Sequence, residues 1–158
     1  EIMPSLVGSE MCIRDSLYSD EKFAVPENVY IIGMMNTADR SLAMLDYALR
    51  RRFAFFDIKP GFETTGFREY RMALDNEKFN KLISCVENLN GVIASDESLG
   101  EGFCIGHSYF CNLQPDTIND DWLYGVVEYE LIPLLKEYWF DEPMKVKDWS
   151  ENLRSTIK

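Results

Sequence analysis

Histidine occurs once in this chain and cysteine only four times in 158 residues. The cysteines, at positions 12, 85, 104 and 111, form neither a CxxC pair nor the spacing of a disulfide framework. A disulfide-stapled scaffold is therefore excluded, and a reduced, cytoplasmic setting is the simplest reading. No apolar run reaches the roughly 20 residues of a membrane-spanning helix. The first 16 residues lack the basic start and long apolar stretch of a secretion signal. Positive charge is scarce as well: 16 Lys and Arg face 27 Asp and Glu, for a net charge of −11. The deficit is uneven. Residues 1–79 carry 10 basic and 13 acidic side chains, net −3, and residues 80–158 carry 6 and 14, net −8. The second half repels phosphate backbones, so direct nucleic-acid binding is not expected there. Also missing is any G-x-x-x-x-G-K-[ST] stretch, the loop that cradles nucleotide phosphates. No expected strand ends in the paired acids that would hold Mg²⁺.

What is present sorts into three stretches. Residues 1–16 show no period, caps or core-facing stripe. Residues 4–16, PSLVGSEMCIRDS, resemble a translated sequencing-adapter peptide; a poorly ordered terminus is the alternative. Residues 17–62 read as α/β. Val25-Pro26-Glu27-Asn28 is a turn, and Val29 to Met35, apolar on both faces, suits a central strand of a parallel sheet. Ser41 to Arg52 reads as a helix with Leu42, Leu45 and Leu49 on one stripe. Phe53 to Ile58 reads as a second buried strand, ended by Lys59-Pro60-Gly61. Residues 63–158 read as helical. Helices are expected over Phe67–Leu74, Glu77–Ile93 and Trp122–Tyr138, the last kinked or broken at Pro133. A final helix is expected over Asp148–Ile157, with Asp148 as its cap. Gly100 to Asn112 reads as a short hairpin or an ordered loop.

Few residues are placed to carry chemistry. Asn36 follows the first expected strand, and the carboxyl edge of an open α/β sheet is where ligands bind. An amide there orients water or meets a terminal phosphate; a helix-capping turn Asn is the competing reading. Asp39 suits a cap, and Arg40 suits either a neighbouring subunit's nucleotide or an ion pair. In Arg50-Arg51-Arg52, Asp46 sits four residues before Arg50 and accounts for it. Arg51 and Arg52 point elsewhere. They either complement the helix dipole or act as arginine fingers on a neighbour's γ-phosphate, a role the planar guanidinium fork suits better than lysine does. Cys104, His107 and Cys111 invite a metal, but no fourth ligand lies near and the spacing matches no usual zinc pattern, so no metal site is expected. A packed or hydrogen-bonded structural role is the default for His107.

The stretches VPENVYIIGMMNTADRSLAMLDYALRRRF, FDIKPGF, GFCIGHSYF and LIPLLKEYWFDEP, taken in order, resemble the McrB family. This is the AAA+ GTPase subunit of 5-methylcytosine-specific restriction systems. The resemblance runs from about Leu17 to the end of the chain, with Met34 standing where the family usually has Thr. It implies the C-terminal part of a AAA+ P-loop NTPase sheet domain followed by an α-helical lid. It also implies that Asn36 is the sensor-1 asparagine and that Arg51 and Arg52 reach the GTP of the adjacent protomer. Arg40 would lie near the subunit boundary, and His107 and Ser108 of the lid would approach the nucleotide. The implied full-length parent forms a homo-oligomeric ring, a hexamer, uses GTP and Mg²⁺, binds a McrC-like nuclease subunit and acts on DNA through the intact complex. These 158 residues alone are expected to bind no cofactor and to hydrolyse nothing. Two alternatives stay open: another AAA+ ATPase that uses ATP, and a non-catalytic assembly module whose arginines dock an acidic partner.

Overall fold

A computed structural model of the chain describes residues 14–15, 22–23, 28–35 and 51–158. The chain divides into two units, Glu1–Ile58 and Lys59–Lys158. In the first, Arg14–Asp15 (β1) pairs antiparallel with Lys22–Phe23 (β2), with Arg14 opposite Phe23. This is the one ladder among the described residues.

The two apolar runs expected as buried strands take no strand conformation here. Residues 29–35 lie open to solvent, Ile32 at 88% and Met34 at 96% exposure, and Phe56 in the second run is 88% exposed. The reason is physical. A parallel-sheet strand is stable only when neighbours satisfy both of its edges and cover both of its faces. Among the described residues no such neighbours occur. The helix expected over residues 41–52 lies outside the described residues except for Arg51 and Arg52, which occupy a turn. Asn36 and Arg40 also lie outside them.

The second unit is helical. A 3-10 turn, Gly61–Glu63, leads into α1, Thr65–Leu74. Thr64 starts α1 by accepting the N–H of Phe67 on its hydroxyl, so the helix begins two residues before the expected Phe67. It ends at Asp75, whose φ of 44° puts it in the left-handed region that terminates helices. Asn76 then caps α2, Glu77–Ser95, by accepting the N–H of Phe79 at 2.9 Å. The α2 stripe of Phe79, Leu82, Ile83, Val86, Leu89 and Ile93 is wholly buried, the pattern of a helix with one core-facing side.

Of the two readings of 100–112, hairpin or ordered loop, the structure shows the loop, with two 3-10 turns, Glu101–Phe103 and His107–Phe110. Next comes α3, Asp120–Gly125, capped by Asn119. It runs without a break into a π-helical stretch, Val126–Leu131, and then into α4, Ile132–Tyr138. Pro133 therefore neither breaks nor ends the helix. Its ring would clash with the carbonyl of residue 129 in a regular α-helix, and it has no N–H to offer that carbonyl. The widened turn just before it supplies the necessary adjustment.

The last helix, α5, spans Pro143–Thr156 and starts five residues before the expected Asp148. Pro143 sits in its first turn, where a missing N–H costs nothing, and Asp148 is an interior residue, not a cap. Helix α2 packs along α5, which also meets α4. Leu123, Val127, Leu131, Leu135, Trp139 and Leu153 join the α2 stripe in one core. No helix among the described residues is long and apolar enough to cross a membrane.

Candidate functional site

The sequence singles out the 104–111 loop, and the structure shows what holds it. Two polar side chains reach the loop from distant positions in the chain, and a third reaches out from it. Asn90 projects from α2 beside the apolar stripe and behaves like a strand neighbour. Its Nδ2 donates to the carbonyl of Ile105 at 2.9 Å, and its Oδ1 accepts the Ile105 N–H at 2.7 Å. Both polar groups of a buried peptide are thereby satisfied. Tyr70 of α1 does the equivalent at the other end. Its hydroxyl donates to the Phe110 carbonyl at 2.9 Å and accepts the Leu113 N–H at 2.8 Å. Burial pushes the Tyr70 phenol above its ordinary pKa, although the Leu113 bond favours the ionised form.

The third tie is His107. Its Nδ1 accepts the backbone N–H of Gly61 at 2.9 Å. The neutral ring therefore carries its proton on Nε2. Phe62 and Phe67 meet the imidazole edge-on, at centroid distances of 6.3 and 5.9 Å. Gly61 is required by this approach: a Cβ there would lie 2.9 Å from Cε1 of the ring. The expectation of a packed, hydrogen-bonded histidine is met. Ser108 is exposed on the same turn.

The loop does not gather a metal. Among the described residues no group of three or more His, Cys, Asp or Glu side chains could hold one. The described residues thus supply no such cluster for Mg²⁺. Cys104 and Cys111 donate their thiols to the carbonyls of Asn90, at 3.6 Å, and His107, at 3.3 Å. Burial is the main cause holding both thiols, and that of Cys85, above the ordinary range. None is an activated thiolate.

A second cluster lies at the end of α2. Asp96 accepts from Lys145 Nζ at 2.7 Å, from Trp139 Nε1 at 2.9 Å, and from the hydroxyl and N–H of Ser98. Its side chain is 10% exposed. The Lys145 bond, then those from Ser98 and Trp139, hold this carboxyl far below the usual carboxylate range. Desolvation pulls Lys145 down, but its bonds to Asp96 and Glu142 outweigh it and the net shift is upward. The cluster pins α2 to the α4–α5 junction and is structural.

Of the residues singled out for chemistry, Arg51 and Arg52 are exposed, and neither forms an ion pair among the described residues. They belong to the first unit, and His107 and Ser108 to the second. Asn90, Tyr70 and Gly61 escape a reading by motif. The one signal is the position of Asn90: a polar residue between Val86 and Ile93 on a stripe of buried aliphatics.

Residues 81–147, which include the pinned loop, match the family described as McrB, alpha-helical lid domain. The chain is also 49% identical over 142 residues to the type IV methyl-directed restriction enzyme EcoKMcrB subunit of Escherichia coli (strain K12). That alignment takes in 85% of this chain and 30% of the E. coli protein. The loop, the helices around it and the identity extending well beyond them agree: the chain belongs to the McrB family.

Proposed function

We propose that residues 59–158 form the lid of a McrB-type AAA+ GTPase, and that residues 17–58 bring catalytic side chains to its nucleotide pocket. In this reading Asn36 is the sensor that meets the terminal phosphate and orients the attacking water. Arg51 and Arg52 reach the GTP bound by the adjacent protomer of a homo-oligomeric ring, a hexamer. Arg40 lies near the same boundary. Hydrolysis drives DNA movement and cleavage in a complex with a McrC-like nuclease, and the DNA is methyl-modified. The observation that carries this reading is the lid-domain match together with the 49% identity to a methyl-directed restriction subunit. Two exposed guanidiniums without internal ion pairs among the described residues support it, since a finger must be free to leave its own subunit.

The chemistry asked of these arginines is electrostatic. Phosphoryl transfer spreads negative charge over the γ-phosphate oxygens, and a planar cation placed there lowers the barrier. The 158-residue chain contains no phosphate-cradling loop, so it is expected to be silent alone. The test is a comparison of phosphate release by the purified chain and by the full-length protein. Release of phosphate from GTP by the full-length protein alone, resisted only weakly by competing ATP, is the expected result. Turnover by the 158-residue chain itself, or a preference for ATP, would contradict the reading.

A further inference from the structure

We propose that His107 is a positioning residue that clasps the start of the lid at Gly61 and thereby fixes the direction in which the lid's first turn sets out. The proposal rests on the reading above for its effect on turnover, but not for the clasp itself. Between Phe53 and Pro60 the chain has no helix or strand. Gly61 is buried and opens the first turn after that stretch. Its N–H would be an orphan donor without His107, and a buried unpaired donor is costly. The imidazole lies over the glycine so closely that no side chain fits between them.

Two further contacts act at the same place with unequal weight. Lys59 reaches Glu101 at 3.2 Å, but both side chains are 72% exposed, so this pair contributes little. Phe62 is buried against Phe67 and Phe110 and anchors the turn without specifying where the Gly61 N–H points. Direction is left to the His107 bond. The ring uses Nδ1 for it, and Nε2 makes no hydrogen bond among the described residues. A nucleotide ligand role through Nδ1 is thus incompatible with the clasp.

Three variants separate clasping from packing. His107→Ala removes the acceptor. His107→Asn places a carbonyl oxygen near the former Nδ1. Gly61→Ala keeps donor and acceptor but forces them apart. Amide hydrogen exchange is measured on the 158-residue chain. Exchange at Gly61 is expected to rise about tenfold or more in His107→Ala and Gly61→Ala. It is expected to return toward the parent value in His107→Asn, with Ile105 and Leu113 still protected in all three. In the full-length protein, His107→Ala and Gly61→Ala are expected to lower GTP turnover severalfold with nucleotide affinity kept, and His107→Asn to restore it. Unchanged Gly61 exchange in His107→Ala overturns the clasp. Altered exchange with unaltered turnover overturns its positioning role, provided that Arg51→Ala or Arg52→Ala lowers turnover in parallel. If those arginine variants are also without effect, the proposed function fails, and the clasp is then judged on exchange alone.

Discussion

Asn90 shows how much one side chain carries in this molecule. Its single amide pairs both the N–H and the C=O of the Ile105 peptide. Asn90→Ala leaves a buried N–H and C=O unpaired and is expected to cost about 2–4 kcal/mol, read as a lower urea midpoint at unchanged m-value. An unchanged midpoint would mean that the loop finds other partners. Asp96 has a different signature because it titrates. Its folded-state pKa lies below the unfolded value of about 3.9, so its stabilisation is fully present above that pH. It is lost progressively as pH falls toward the folded pKa. Asp96→Asn is therefore expected to lower stability by on the order of 2 kcal/mol at pH 7. It should also flatten the fall in stability between about pH 4 and pH 2. A variant whose acid limb matched that of the parent would show that the carboxylate contributes nothing through its charge.

Elements differ in how openly the sequence announces them. Helices α1 and α2 were legible because their apolar residues recur at helical spacing; the caps Thr64 and Asn76 were not read, and α1 starts two residues before the expected position. The beginning of α5 was not, because a proline at residue 143 reads equally well as a break and as a first-turn residue. The π-helical stretch left no mark in the periodicity; only Pro133 pointed at an irregularity, without saying which kind. The stretch has its own tie: Glu128, within it, takes a bidentate pair of hydrogen bonds from Arg154 of α5, the outer one at 2.8 Å. The Arg154 bond holds Glu128 below its ordinary pKa. Arg154 is 43% exposed, so screening limits the contribution. Glu128→Gln is expected to destabilise by about 1 kcal/mol or less, measured by thermal unfolding. A loss several times larger would mean that the pair, and not the surrounding apolar packing, holds the widened turn in place. The loop ties were illegible for another reason. Their partners lie 15, 40 and 46 residues apart in sequence, and no local pattern encodes such distances.

At the scale of the whole molecule, the lid has its own core and the first unit exposes its apolar runs. Residues 59–158 bury Phe79, Phe110, Trp139 and a full set of aliphatics. They are therefore expected to fold alone, with a cooperative transition seen by circular dichroism at a midpoint within a few degrees of that of the full chain. A noncooperative melt would show that the first unit is needed for the core. The family resemblance was legible across both units, but the structure bears on it only in part. The lid's helices and loop are described, whereas Asn36 and Arg40 lie outside the described residues. The sheet expected around 29–35 and 53–58 requires neighbouring strands, and these the described residues do not supply. The most direct test of the central claim therefore concerns Arg51 and Arg52 in the full-length protein, with GTP affinity and single-turnover hydrolysis measured side by side. Arg51→Ala or Arg52→Ala is predicted to slow hydrolysis by on the order of 10³-fold or more with affinity within a few-fold of the parent. Hydrolysis at the parent rate in both variants, or a loss explained by failed assembly alone, would contradict it.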